Sequence, residues 1–407
     1  MILGASILQL PAILKAKEMG LLPVVCDMNP EAVGFREPGI MKEVISTIDT
    51  EGVLAAARKH QIDGIMTLAT DMPMMTVAKV SHELGLVGVS ERTALCATNK
   101  AAMRDALRAA GVPIPEYHKV SSLRECREAV RLIQEHGFRC IIKPADNSGS
   151  RGVDLLREFS REAVERAYAY SRANSRSGGV IVEEYMRGPE VSVETVAQDG
   201  EVRVLQITDK ITTGAPYFVE MGHTQPSRLP ALTRERIRQV TIAANRAVGI
   251  ENGPSHTEII ATAEGPKVVE LGARMGGDCI TTHLVPLSTG IDMVRCCLQL
   301  AIGEKPDLTP KFARGAANRY FRQPDGKILS IRGVEEIERM SGVRQVSIVH
   351  GAGETVGAVR SSGDRIGFVI AEGKDADQAA ARAEAARCSL SVETAWAGPG
   401  KAEEEHV

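Results

Sequence analysis

The stretch from Pro254 to Asp278 constrains this chain more than any other. It reads as two short β-runs, Ser255 to Thr262 and Lys267 to Leu271, joined at a Glu264-Gly265 turn. A hairpin folded about that turn sets Glu258 and Glu270 opposite each other on neighbouring strands, with Cβ atoms about 5 Å apart. Like charges so placed repel, and a hard divalent cation removes the repulsion. Mg²⁺ accepts carboxylate oxygens and completes its octahedron with water and phosphate oxygens. Arg274 comes four residues after Glu270, and Gly276-Gly277 follows, so a fixed cation and an open backbone turn lie beside the metal pair. Taken alone, the same residues also describe an exposed hairpin whose glutamates are merely solvated.

The rest of the chain decides between these readings. Its 407 residues call for about two to three domains. Basic and acidic residues number 49 and 52, which gives no global attraction to nucleic acid or an anionic membrane, so any anion binding has to be local. Aromatic residues are too few, at 3%, for stacking platforms. Eight cysteines are scattered without C-x-x-C pairs or histidines at zinc spacing, as in reduced, packed thiols of a cytoplasmic protein. No apolar run has spanning length, and no basic region leads a signal peptide.

Residues 1 to about 90 alternate strand and helix signals: MILGA, a helix Leu10 to Met19, LPVVCD, a helix near Glu51 to Lys59, DGIMTLA, a helix Thr76 to Glu83, then LVGVS. That alternation specifies a parallel α/β sheet. The Gly4-Ala5-Ser6 turn lacks the later glycines of a dinucleotide fingerprint; with Asp27 and Asp71 it more simply shapes a substrate crevice. A helix from Asn99 to Ala110 stops at Gly111-Val112-Pro113 and carries Lys100 in its first turn, where the helix dipole disfavours a cation.

Two later stretches carry anion and base chemistry. In FRCIIKPADNSGSRGVD, a strand delivers Lys143 immediately before a loop of Ser148, Gly149, Ser150 and Gly152, whose backbone N–H groups can wrap phosphate oxygens. In VIVEEYM, a strand ending in Glu183 and Glu184 runs on to Met186. A carboxylate there can accept from a purine amino group while the next backbone groups read the ring, and Glu190 lies within reach of ribose. A hairpin at Asp199-Gly200 joins Val191–Ala197 to Val202–Thr208. A long polar loop then runs from Asp209 to Arg228 with Lys210, Glu220, His223 and Ser227. Helices follow at Thr233 to Val248 and His283 to Ile302. Residues 310 to 395 read as a smaller βαβ-like unit, and the tail from Ala397 reads as disordered.

The ordered set Thr98-Asn99-Lys100, Ile142-Lys143-Pro144, Ser148 to Gly152, Val182-Glu183-Glu184-Tyr185, Gly188-Pro189-Glu190, Glu258, Glu270 and Arg274 resembles the ATP-grasp superfamily of carboxylate–amine ligases. The resemblance implies an α/β fold, α+β in the ATP-grasp subdomains. An N-terminal Rossmann-like parallel sheet spans 1–90 and a two-lobed ATP-grasp domain 91–305, with a lid over 91–178 and the ATP/metal lobe over 179–305. A small C-terminal α/β domain spans 306–396, before the tail at 397–407. It implies that Lys100 and Lys143 contact ATP phosphates under the closing 148–152 loop, and that Glu183, Glu184 and the backbone near Met186 face adenine, with Glu190 on ribose. Glu258 and Glu270 would hold Mg²⁺ (or Mn²⁺), and Arg274 would stabilise the transferred phosphoryl group. Lys210, His223 and Gly277 are the substrate-side candidates. Such enzymes turn a carboxylate into an acylphosphate that an amine then displaces, a reaction that needs positioning and charge rather than a protein nucleophile.

Gly272 stands where many members have a metal-binding Asn, which leaves one coordination position to water or phosphate. The run Glu270-Leu271-Gly272-Ala273-Arg274, with His256-Thr257-Glu258 and the Glu220–Ser227 segment, looks more like the L-amino-acid ligase branch. The partners expected are therefore small-molecule carboxylate and amine substrates, with no nucleic acid or membrane, in a cytoplasmic homodimer. The same scaffold also serves glycinamide-ribonucleotide-type and carbamoyl-phosphate-type ligases, and the sugar-phosphate version calls for an extra basic cluster that the sequence does not show. A catalytically silent ATP-binding module would lack a metal glutamate or the arginine, and all three are present.

Overall fold

The computed structural model describes residues 1–147, 149 and 151–395. Ser148 and Ser150 of the expected phosphate loop, and the tail from Ala397, lie outside the described residues. The chain divides into two compact units. The first comprises Met1–Lys210 and Gln225–Ala313, the second Ile211–Thr224 and the segment from Arg314 onward.

The first unit begins with β1 (Ile2–Leu3), α1 (Leu10–Glu18), β2 (Val24–Asp27), β3 (Met41–Val44), α2 (Thr50–His60) and α3 (Met74–Leu84). The three strands pair in parallel in the order β1-β2-β3, the sheet that the βα alternation predicts. The DGIMTLA segment expected as a strand makes only isolated parallel bridges, Ile2 with Met66 and Leu68 with Met275, and LVGVS forms no strand. Next come α4 (Glu91–Thr98) and α5 (Lys100–Ala109), where the Asn99 side chain caps α5 by accepting from the Ala102 N–H at 3.0 Å.

The segment expected as a lid folds as β4 (Tyr117–Val120), α6 (Leu123–Glu135), β5 (Cys140–Pro144), β6 (Asp154–Leu155), α7 (Arg161–Ala173) and β7 (Val180–Glu184). Its sheet order is β4-β7-β5-β6, and α6 and α7 cover it with their own core around Cys126, Ile133, Ile142 and Val182. Then β8 (Glu190–Gln198) and β9 (Glu201–Thr212) form the expected hairpin at Asp199-Gly200, both in the left-handed region that this tight turn needs. The expected 209–228 loop is not a loop throughout. Asp209 to Thr212 continue β9, and Glu220–Gln225 form β10.

After α8 (Ala231–Val248) come β11 (Gly253–Thr262) and β12 (Gly265–Gly272). The order β12-β11-β8-β9 gives one sheet, whose apolar face (Val191, Val193, Ile259, Val268, Leu271) packs with Ile237, Ala244 and Val248 of α8. The helix expected from His283 to Ile302 is broken into a π-turn Ile280–Leu284, α9 (Val285–Thr289) and α10 (Met293–Ala301), interrupted at Gly290. No single described helix is long and apolar enough to cross a membrane.

The second unit holds β10 together with β13 (Gly315–Tyr320), β14 (Gly326–Arg332), α11 (Val334–Glu338), β15 (Val343–Ile348), β16 (Thr355–Val356), β17 (Gly367–Gly373), α12 (Ala376–Ser389) and β18 (Ser391–Ala395). Its strands lie in the orders β10-β13-β17-β15 and β16-β14-β18, with the β13–β17, β15–β17, β14–β16 and β14–β18 pairs antiparallel rather than joined through the expected βαβ crossover. The alanine-rich α12 packs Ala379 and Ala383 against Ala317 and Ala371, small side chains that let helix and sheet approach closely.

Candidate active site

Glu258 and Glu270 are partners across β11 and β12, but not through the simple hairpin that the sequence suggests. The strands close with Thr262 against Gly265, so the turn is Ala263-Glu264, one residue earlier than expected. Continued without interruption, that register would set Glu258 against Val269 and turn Glu270 to the other face of the sheet. A β-bulge between Glu258 and Ile259 absorbs one residue and brings the two glutamates opposite each other.

Because side chains alternate along a strand, the register carries this polarity across the sheet. Glu270, Glu258, Ser192 and Thr208 form one row, and Gly272, His256, Glu194 and Gln206 the next. The ion pairs follow these rows. Lys210 Nζ lies 2.6 Å from Glu190 Oε1 and 2.7 Å from Glu258 Oε1. Lys100 Nζ lies 2.9 Å from Glu270 Oε2 and donates to the Asn147 carbonyl at 2.7 Å. His256 Nδ1 lies 2.6 Å from Glu194 Oε1.

These neighbours fix the charges. Burial pushes the Glu258 carboxyl up, but Lys210 and His256 outweigh it and hold it well below the usual range. Burial pushes the Glu190 carboxyl up, and Lys210 does not overcome it beside the negative Glu258. Burial pulls His256 down, yet the Glu194 carboxylate raises it to about 9. Burial likewise pulls the Lys100 ammonium down, and Glu270 reverses the effect.

The facing pair fits a divalent ion that arrives with its phosphates. Each carboxylate already meets a cation, whereas among the described residues no three or more His, Cys, Asp or Glu side chains gather into a cage. Two carboxylates completed by phosphate and water is the usual protein share of a Mg²⁺ site. Gly272 adds no ligand.

Glu183 of β7, which also meets Lys143 of β5, is held by a residue that the sequence reading did not single out. Arg104 of α5 is fully buried; its Nε and Nη2 donate to the two oxygens of Glu183 at 2.7 and 3.1 Å, and Nη2 also donates to the Val269 carbonyl at 2.7 Å. Lys143 Nζ lies 2.6 Å from Glu183 Oε2. Burial alone would raise Glu183, but Arg104 and Lys143 bring it down to about 2. Burial lowers Lys143 from its ordinary value, with Arg104 and Lys100 adding to the effect and Glu183 opposing it. The Glu184 carboxylate is met by Lys267 at 3.1 and 3.2 Å and by the Glu116 N–H at 3.2 Å. Both carboxylates expected to face adenine thus have protein partners, and Glu190 faces Lys210.

Gly149 and Gly152 both adopt the left-handed region. A Cβ at Gly152 would lie 2.5 Å from Asn174 Cβ and 2.6 Å from Pro144 Cγ, so this position has no room for a side chain. Ahead of these glycines, Asp146 accepts from the backbone N–H groups of Arg176 and Ser177 at 3.0 and 2.8 Å.

Arg274 is gripped by Asp71, Nε to Oδ1 at 2.8 Å and Nη2 to Oδ2 at 3.1 Å. One cavity gathers Asp71, Lys100, Asn147, His256, Glu270 and Arg274. Gly277 leads into Asp278 and Cys279, two non-glycine residues with positive φ (50° and 62°), a conformation rarely kept without purpose. His223 belongs to the second unit, where it is buried and its N–H and Nδ1 lie 2.7 and 3.1 Å from Asn318 Oδ1. The sequence did hold a signal for Ser192 and Glu194: with Glu190 they are polar at period two in an otherwise apolar strand.

A family model described as ATP-grasp domain matches residues 136–282, and one described as L-amino acid ligase C-terminal domain 2 matches residues 319–395. Uncharacterized protein y4rH of Sinorhizobium fredii is 31% identical over 317 residues, covering 77% of this chain and 64% of that protein. The L-arginine-specific L-amino acid ligase of Bacillus subtilis is 26% identical over 303 residues, covering 72% of this chain and 71% of that enzyme. The solved structure of an L-amino acid ligase from Bacillus licheniformis matches with a TM-score of 0.83 at 24% identity, over 97% of this chain and 98% of that one. The chain thus spans 64% of the length of the first of these relatives but nearly all of the solved structure.

Proposed function

Since the chain belongs to the ATP-grasp superfamily, with an ATP-grasp domain followed by an L-amino acid ligase C-terminal domain, we propose that it is an ATP-dependent carboxylate–amine ligase acting on amino-acid substrates. The observation that carries this reading is the facing pair Glu258 and Glu270, with Lys100 and Lys210 in contact with it and Arg274 in the same cavity as Glu270 and Lys100.

In this reading Lys100 and Lys143 receive the ATP phosphates, and the backbone near Met186 receives the adenine. Glu183 acts on Lys143 rather than on the base. Glu258 and Glu270 would hold Mg²⁺ or Mn²⁺, which when bound neutralises and orients the terminal phosphates. A carboxylate oxygen of one substrate attacks the γ-phosphorus, and the bond to the β-phosphate oxygen breaks to release ADP. Arg274 meets the charge on the transferred group. The amine of the second substrate then attacks the acyl carbon, phosphate leaves, and the amine loses a proton as the amide forms. Lys210, His223 and Gly277 are the substrate-side residues. For His223 the support is the likeness of the Glu220–Ser227 segment to the amino-acid ligase branch.

The test is phosphate release from Mg-ATP with amino acids supplied singly and in pairs, products identified by mass spectrometry. Release that needs two amino acids and yields a dipeptide is expected. Release driven by bicarbonate or a phosphorylated sugar amine contradicts the reading.

A further inference from the structure

We propose that Asp71 is the positioning residue for the Arg274 guanidinium, and that residue 272 is glycine because any side chain there would displace this pair. The inference rests on the reading of Arg274 as the group that meets the transferred phosphoryl, and it goes beyond that reading by assigning roles to two residues with no ligand of their own.

Backbone conformation does not explain the glycine. Gly272 closes strand β12, pairs with His256 beyond the bulge and has no positive φ. Space does explain it: a Cβ built at Gly272 falls 2.9 Å from Asp71 Oδ1 and 3.3 Å from both Cζ and Nε of Arg274. These are the atoms of the ion pair itself. Gly276 repeats the pattern, since a Cβ there would meet His256 Nδ1 at 2.6 Å and the Glu194 oxygens at 3.0 Å. Each glycine backs onto one ion pair of the floor of the site.

The pair is anchored from both sides. On one side Leu68 bridges Met275 in parallel, the Ala69 N–H donates to the Met275 carbonyl at 3.3 Å, and Ala69 takes a positive φ of 60°. That ties the segment carrying Asp71 to the residue following Arg274. On the other side Arg274 Nη1 donates to the Met275 carbonyl at 3.3 Å. A guanidinium has five N–H donors in one rigid plane. Three are spent on Asp71 and Met275, which leaves one on each terminal nitrogen to meet an oxyanion in a direction that Asp71 sets.

The experiment compares wild type with Asp71→Ala, Gly272→Ala and the double variant. It reads phosphate release from Mg-ATP with the twenty proteinogenic amino acids, ATP affinity by calorimetry, and the rate of phenylglyoxal modification at Arg274 by peptide mapping. Asp71→Ala is expected to lower kcat roughly 10- to 100-fold, the scale of a misplaced catalytic group, with ATP affinity within about threefold. Gly272→Ala should lower kcat by itself but add no more than about twofold in the Asp71→Ala background, because the carboxylate it would strike is gone. Phenylglyoxal labelling should speed up in both single variants. Losses that multiply in the double variant overturn the proposal, as does unchanged labelling. Should wild type release no phosphate while labelling still accelerates, the ligase reading fails and the positioning of Arg274 by Asp71 is upheld.

Discussion

Replacing Arg104 with Met isolates the residue that joins Glu183 to the Val269 carbonyl of β12. Methionine keeps the apolar stem of the side chain and removes the charge. It leaves Glu183, 1% exposed, facing only Lys143, and it deprives the Val269 carbonyl, next to Glu270, of its donor. Two routes give the size of the effect. Breaking a buried ion pair by removing one partner costs about 3–5 kcal/mol, and the surviving Lys143 contact puts this case at the lower end. Independently, a carboxyl held at about 2 instead of its ordinary 4.5 contributes on the order of 3 kcal/mol at neutral pH. Arg104 supplies the larger share of that depression, so a loss of roughly 2–3 kcal/mol is expected at pH 7. The sign is fixed as well. A depressed carboxyl stabilises the fold above its unfolded value, and the contribution fades as pH falls from about 4.5 towards 2. Urea unfolding followed by circular dichroism should therefore show the gap between wild type and Arg104→Met shrink between pH 5 and pH 3. A gap under about 1 kcal/mol at pH 7, or one that stays constant with pH, refutes the reasoning.

Other perturbations separate the remaining parts of the site. Lys143→Met should weaken ATP binding in calorimetry by at least roughly tenfold, the range of one charge-assisted contact to phosphate, and an unchanged Kd would remove Lys143 from the phosphate site. Lys210→Met leaves Glu190 and Glu258 without their shared ammonium, so the variant should melt lower than wild type without metal and gain more in Tm from excess Mg²⁺; equal gains would mean that no ion takes the ammonium's place. Gly152→Ala combines a φ of 80° with a Cβ contact of 2.5 Å and should cost at least about 2 kcal/mol in urea unfolding, whereas Gly149→Ala, with open space around it, should cost less. His223→Ala should raise the amino-acid KM or lower kcat while ATP affinity holds, and a loss confined to ATP affinity would contradict its substrate-side role.

Much of this architecture was legible because it obeys local rules. Helix stops at Gly20, Gly85, Gly111 and Gly249 announce themselves, and all four glycines adopt a positive φ. The β8–β9 hairpin is written in Asp199-Gly200. The facing glutamates were legible for the wrong reason: a turn at Glu264-Gly265 without a bulge sets Glu258 against Leu271, whereas the observed turn one residue earlier needs a bulge to pair Glu258 with Glu270, and bulges leave little trace in a single sequence. Residues whose role depends on partners far along the chain were not legible. Arg104 lies one helical turn after Lys100 and reads as an ordinary charged helix position, until its partners, 79 and 165 residues away, are folded around it. Glu183 and Glu184 looked available to a base because nothing local says that Arg104 and Lys267 claim them first. Gly272 looked like a lost metal ligand, and only the folded chain shows what its missing side chain makes room for. In the second unit, β14 and β18 escaped notice because strands of mixed polarity lack a clean alternation.

The central claim is that Glu258 and Glu270 together hold a divalent ion against the phosphates of ATP. The most direct measurement is Mg-ATP binding and phosphate release by Glu258→Gln and Glu270→Gln, which keep the shape of each side chain and remove one negative charge. The account predicts a folded protein in which each variant loses at least roughly a hundredfold in phosphate release and needs far more Mg²⁺ to bind ATP. Wild-type phosphate release and Mg²⁺ dependence in either variant would contradict it.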